Sequence, residues 1–295
     1  MKKLLFGIVI AMIALATACS GGQGGKLVGV AMPTQSLQRW NQDGANMKAK
    51  LEEKGYKVEL QYAQDDVNAQ VQQIENMITK GCKTLVIASI DGASMTNVLK
   101  TAKARKVQAI AYDRLLMNTP DVDYYATFDN FKVGAIQGKF IEDKLGLKTN
   151  KGPFNIELFV GSLDDNNAKL FNQGAMSVIQ PCIDSGVLVV PSGQTAFTAI
   201  AIPNWNSGTA QKPYPVLTGQ QSMSVFKDTR TLAAKVVEMV DAVMAKKTVP
   251  VNDTATYNNG VKVVPSFLCE SVFADKGNYK ALLLDTGYYT EADIQ

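Results

Sequence analysis

The chain reads as an α/β protein of two doubly wound lobes. Three observations lead there: short apolar runs alternate with longer amphipathic stretches, the links between them are turn-length, and a second such series begins after Tyr125–Asn130. At 295 residues the chain is long enough for two cores.

The elements follow in order from Lys26. Lys26–Met32 (KLVGVAM) is a buried strand closed by Pro33. Arg39–Gly55 carries Trp40, Ala45, Met47 and Leu51 at helical spacing and ends on a Gly. Lys57–Tyr62 is a strand, and Asn68–Gly81 a helix with Val71, Ile74, Met77 and Ile78 inward. Thr84–Ala88 (TLVIA) is a strand, Met95–Arg105 a helix and Gln108–Tyr112 (QAIAY) a strand. The second series comprises helix Phe131–Leu145, strand Asn155–Val160, helix Ala168–Ile179 and strand Leu188–Val190.

Ahead of all this, Lys2-Lys3 and the apolar run Leu4 to Leu15 form a leader too short to span a bilayer as a mature helix. Ala16-Thr17-Ala18 then meets Cys19, the order of a lipoprotein signal, although Leu15 stands one place further out than usual. An ordinary signal peptide with an incidental Cys is the alternative. Residues 20–25 (SGGQGG) read as a flexible tether. The expected localisation is outside the cell membrane, with the chain lipid-anchored through Cys19.

Composition excludes several classes. The chain has no His, so Ser-His-Asp and Cys-His catalysis and most zinc sites are ruled out. Without Lys2 and Lys3, 28 basic residues face 27 acidic ones, and no Lys/Arg block marks a nucleic-acid surface. No metal or cofactor is expected. No nucleophile elbow, P-loop or GxGxxG cluster follows a strand, so an enzyme is the weaker reading. Cys82, Cys182 and Cys269 have no metal-ligand spacing, and Cys82 reads as a small buried hydrophobe.

In doubly wound sheets ligands sit beyond the carboxyl ends of the strands. Arg39-Trp40 lies after the first strand, and Asp113-Arg114 directly follows QAIAY. Gly161-Ser-Leu-Asp-Asp-Asn-Asn167 follows strand 155–160, and Trp205 stands between a Pro and a Gly. A carboxylate and a guanidinium serve a row of hydroxyls, and flat rings suit the C–H faces of a pyranose.

The stretches YDR (112–114), GSLDDNNAKLF (161–171), VVPSGQTAF (189–197), NWNSGTAQ (204–211), VFKDTRTLA (225–233) and NNGVKVVPSFL (258–268) resemble the type I periplasmic sugar-binding proteins. Within that family the resemblance is to the xylose-binding and multiple-sugar-binding branch. It implies two Rossmann-like lobes joined by three hinge crossings, near Thr127–Asn130, Phe226–Thr229 and Val263–Pro265. The first lobe would be 26–128 plus 229–262, the second 129–228 plus 263–295. It also implies a monomer that holds one monosaccharide (xylose, glucose or galactose class) for an ABC permease, with a sensing receptor as the alternative. The ligand contacts it implies are Arg39, Trp40, Asp113, Arg114, Asn166, Trp205 and Lys227, with the two indoles sandwiching the sugar. A repressor effector pair shares the fold, but a leader occupies the place of its DNA-binding module.

One stretch departs from the family pattern. Lys212-Pro-Tyr-Pro215 stops the helix that NWNSGTAQ should open, and Gln221-Ser222 runs straight into the last hinge strand. Somewhat more than one βα unit, on the order of 60 residues, is missing. The second lobe is therefore expected to be incomplete, with exposed apolar surface and unpaired strand edge. Two second-lobe ligand contacts go with it, and Gln220 is left to take over one. The opposing outcome is a deletion product that no longer binds sugar.

Overall fold

The computed structural model describes residues 26–205 and 222–294. The expectations for Cys19, the leader and Gln220 lie outside the described residues.

The first lobe is built on six parallel strands in the order β2-β1-β3-β4-β5-β9. These are β1 (Leu27–Met32), β2 (Lys57–Tyr62), β3 (Thr84–Ile87), β4 (Gln108–Tyr112), β5 (Tyr124–Phe128) and β9 (Ser266–Cys269). Side-chain alternation along a strand serves two cores at once. Val28, Val30 and Met32 of β1 meet α1 (Gln38–Glu53) and α6 (Thr229–Met244) on one face. Ala31 meets α2 (Val67–Thr79) and α3 (Thr96–Ala104) on the other. Each core joins about twenty buried residues, so this lobe is a complete three-layer unit.

The second lobe is slighter. Helices α4 (Asn130–Leu145) and α5 (Asn166–Asp184) pack so closely that a Cβ at Gly134 or Gly174 would come within 2.0 Å of the facing backbone. Strand β6 (Phe154–Asn155) pairs with β7 (Leu188–Val189), and β8 (Met223–Phe226) with β10 (Val272–Asp275), as two separate ladders. Of the expected strand 155–160, Asn155 belongs to a ladder and Val160 forms a single bridge with Ala201. Among the described residues, the lobe's core cluster has just three buried members, Leu147, Ile179 and Leu188. Phe159 is 60% exposed and Leu163 56%, as a lobe short of covering elements requires.

Two stretches link elements of the two lobes: β5 leads into α4 and β8 into α6. Ser266–Cys269 continues the first sheet, with Tyr125 donating to the Pro265 carbonyl, so the chain crosses at Glu270–Ser271 and not at Val263–Pro265.

Candidate ligand cleft

A cavity of about 330 Å3 opens at the carboxyl end of the first sheet, facing the second lobe. Arg39, Trp40, Asp113, Arg114, Trp205 and Lys227 all line it, brought together from four separate stretches of chain. Asn166 is not among the lining residues. Asp165 and Asn167 take the wall instead, because Asp165 caps α5 by accepting from the Asn167 N–H at 2.9 Å and the helix turn carries Asn166 away.

Asp113 is the hub. It follows β4 with φ of +57°, a left-handed conformation that side chains other than Gly, Asn and Asp seldom adopt. The turn is closed by the Arg114 N–H on the Tyr112 carbonyl at 2.6 Å. Three donors then converge on the Asp113 carbonyl: the Tyr125 hydroxyl at 2.6 Å, Thr127 Oγ1 at 3.1 Å and Asn167 Nδ2 at 2.8 Å. Asp113 N donates to the Ala126 carbonyl at 2.8 Å. A costly conformation is held by surroundings that over-determine it.

The Asp113 carboxylate receives two cations on one oxygen, Arg39 Nη2 at 2.7 Å and Lys227 Nζ at 3.1 Å. Burial pushes its pKa up, but Arg39 and then Lys227 outweigh that and hold the carboxyl well below the usual range. Lys227 is lowered, chiefly by burial, against the pull of Asp113. It also lies 5.2 Å from the Phe128 ring centroid and 5.3 Å from that of Phe171.

Behind Arg39 stands Asp43, fully buried, with Oδ2 3.3 Å from Arg39 Nε one helical turn away. Arg39 is thus gripped between two carboxylates. Burial pushes Asp43 up to about 6, with Arg39 opposing. Its charge sits on the buried stripe of α1 beside Trp40, Gly44, Met47 and Leu51. An acid on an apolar stripe, four residues after an Arg, was the signal for it in the sequence.

A second polar cluster spans the lobes. Arg114 Nε lies 3.2 Å from Asp165 Oδ2, and its Nη1 donates to the Ser89 carbonyl at 3.1 Å. Trp205 Nε1 donates to the same Asp165 oxygen at 3.1 Å. Desolvation raises the Asp165 carboxyl, with Arg114 pulling the other way. The Trp205 ring lies on Gly161, where a Cβ would come within 2.1 Å of it, and meets Phe171 edge-on at 6.1 Å.

The indoles differ in setting. Trp40 is 3% exposed and belongs to the first core, with the Arg39 and Arg114 guanidinium carbons 4.7 and 5.3 Å from its ring centroid. Cations therefore flank a ring that was expected to stand open to a sugar face. The arrangement offers carboxylates, amides, cations and rings at fixed positions, with no His, and no group of three or more potential metal ligands exists among the described residues. It can hold a neutral, hydroxyl-rich molecule by many hydrogen bonds.

Residues 28–213 match the family model described as periplasmic binding protein domain. The chain is 46% identical to the multiple sugar-binding periplasmic protein SbpA of Azospirillum brasilense, over 99% of this chain and 98% of that one. It is 32% identical to the D-xylose-binding periplasmic protein of Escherichia coli, over 90% and 92%. The alignment with SbpA extends over 350 positions against 295 residues here, so at least 55 positions face a gap. That is the size of loss anticipated from the sequence. Among solved structures, an ABC transporter solute binding protein from Clostridium phytofermentans with bound beta-D-glucose superposes with a TM-score of 0.89 at 50% identity, covering 92% of this chain and 100% of that one. A carbohydrate transporter solute binding protein from Chloroflexus aurantiacus in complex with D-glucose gives 0.80 at 28% identity, covering 91% and 98%.

Proposed function

The chain belongs to the periplasmic binding protein family, and from that premise we propose that it captures a monosaccharide of the xylose, glucose or galactose class in this cleft. It delivers the sugar to an ABC permease, with no bond made or broken. The observation that carries the reading is the convergence of Asp113, Arg114, Asp165, Asn167 and Lys227 with three aromatic side chains on one cavity of about 330 Å3. That volume lies at the small end of the range ligand pockets span, roughly 300–1,000 Å3.

In this reading Asp113 and Asp165 accept from sugar hydroxyls, while Arg39, Arg114, Asn167 and Lys227 donate. Trp205 and Phe171 lie against the C–H faces, and Trp40 closes the opposite wall. Gln220 adds a contact from the second lobe. The first lobe comprises 26–128 and 229–269 and the second the remainder, with the chain acting as a monomer. Export is completed by acylation at Cys19, which tethers the protein to the outer face of a membrane through residues 20–25.

Isothermal titration of the folded chain with D-glucose, D-xylose and D-galactose tests this. At least one should bind at micromolar concentration and change Trp205 emission. A chain with a cooperative melt and no response to any pentose or hexose would sink the proposal and leave the deletion product in its place.

A further inference from the structure

We propose that the pole of the first lobe opposite the cleft is a docking surface for an anionic lipid bilayer, centred on Lys83, Lys106, Lys246 and Lys247. In a parallel sheet all strands begin on one edge. Here the register sets Leu27 beside Lys57, Val28 beside Thr84, and Thr84 beside Gln108. The residues that open the strands are therefore neighbours, and lysine is the recurrent choice: Lys26, Lys57, Lys83 and Lys106, all exposed. The carboxyl ends of the helices that precede these strands share this pole.

Lys83 and Lys106 of these, with Lys246 and Lys247, line one cavity of about 500 Å3 together with Gln108 and Tyr124, and no Asp or Glu is among its described lining residues. Among the described residues, none of the four lies within ion-pair distance of an acid. Lysines near helix carboxyl ends are ordinarily explained by the helix dipole and by local salt bridges. That account covers Lys54 and Lys103, which take up the local carboxylates Asp241 at 3.5 Å and Asp123 at 3.2 Å. It leaves the cavity four outside direct salt bridges, with Lys247 feeling Asp241 only at longer range. Lys106 and Lys246 moreover sit at φ of +58° and +55°, helix-end positions where glycine is the usual occupant. In a chain whose charges nearly cancel, the excess is local.

A bilayer is favoured over a soluble anion by where the chain enters. Lys26, the first described residue, stands on this same edge, its carbonyl accepting from Lys57 N at 2.9 Å. Cys19 is seven residues earlier, and seven extended residues reach about 25 Å at most. Any membrane holding Cys19 lies within reach of this pole. A basic patch beside a lipid anchor supplies the second signal that steadies membrane attachment. The charge complementarity itself needs no lipid on Cys19.

The test uses the chain without its leader, starting at residue 19 and carrying Cys19→Ser, so that no acyl group contributes. Sedimentation with vesicles of phosphatidylglycerol and phosphatidylcholine at low salt should pull the protein down, and pure phosphatidylcholine vesicles should not. Changing Lys83, Lys106, Lys246 and Lys247 together to Gln should weaken binding at least tenfold. Changing Lys148, Lys151, Lys276 and Lys280 to Gln, the same charge loss elsewhere, should leave it within twofold. Urea melts of both variants report folding and D-glucose titration reports the cleft, so loss of vesicle binding with the melt unchanged bears on the pole alone. Equal loss in the two variants, binding without phosphatidylglycerol, or full competition by 10 mM inorganic phosphate would each overturn the docking surface.

Discussion

Replacing Asp113 separates two roles that one residue combines. Its carboxylate neutralises Arg39 and Lys227, and its backbone holds a left-handed turn. Asp113→Asn removes the charge but keeps a side chain that tolerates positive φ, so the loss is electrostatic. Breaking a buried ion pair by deleting one partner costs about 3–5 kcal/mol. Arg39 still has Asp43 at 3.3 Å, so the cost falls mainly on Lys227, which places Asp113→Asn near the lower bound, about 3 kcal/mol at pH 7. Asp113→Ala adds the left-handed penalty of roughly 1–2 kcal/mol. Asp113→Gly returns that part and no more. Urea denaturation of the three variants reads these differences directly. The Asn variant has a further signature. Lys227 without its carboxylate is held even further below its ordinary pKa, so the folded state binds fewer protons than the unfolded chain. Stability then rises with pH from neutrality toward the ordinary lysine value. An Asn variant within about 0.5 kcal/mol of the parent at pH 7 and flat in pH would refute the reasoning.

Two other outcomes follow from the same site. Asp43 is raised to about 6, so between its ordinary value near 4 and 6 the folded state binds the extra proton, and stability falls as pH rises through that window. Urea melts at pH 4, 5, 6 and 7 should show the parent losing stability relative to Asp43→Asn across that window, other carboxylates being common to both; parallel curves would count against a raised Asp43. Gly161→Ala places a methyl where the Trp205 ring now lies, and should shift Trp205 emission and weaken sugar binding at least tenfold with little change in first-lobe stability. An unchanged emission spectrum would show that the ring is not seated there.

The first lobe was legible because each of its elements repeats one pattern at short range: buried β-branched runs, then an amphipathic helix, then a turn. The positions of Asp113 and Arg114 followed from that alone, since residues directly after a buried parallel strand must stand at its carboxyl edge. Asn167 and Asp165 were harder. Which of four consecutive polar residues faces the cavity depends on where α5 starts, and a one-residue shift turns a side chain by about 100°. Asp43 was hidden for another reason. Helical periodicity marks it as buried, but only the fold brings Asp113 to the other side of Arg39. The third crossing missed because a strand's owner depends on which sheet offers it a free edge, and β5 offers one to residues 266–269.

The weakness of the second lobe and the order of the cleft are compatible for a structural reason. The groups that fix Asp113 are Tyr125 and Thr127 of β5, the Ala126 carbonyl, and Lys227 at a crossing. Asn130, at the start of α4, passes the network on, donating to Asn167 Oδ1 at 2.8 Å. All but Asn167 belong to the complete sheet or to a crossing directly continuous with it. The second lobe adds polar side chains to the cleft through α5 and the Trp205 loop, with β8 and α4 completing the wall, and α5 is locked to α4 by the backbone approach at Gly134 and Gly174, not by a ladder. Loss of inner strands thus removes walls of the cavity while sparing its charged floor. The physical expectation is a sugar site that keeps its polar recognition and loses enclosure, which lowers affinity by faster release.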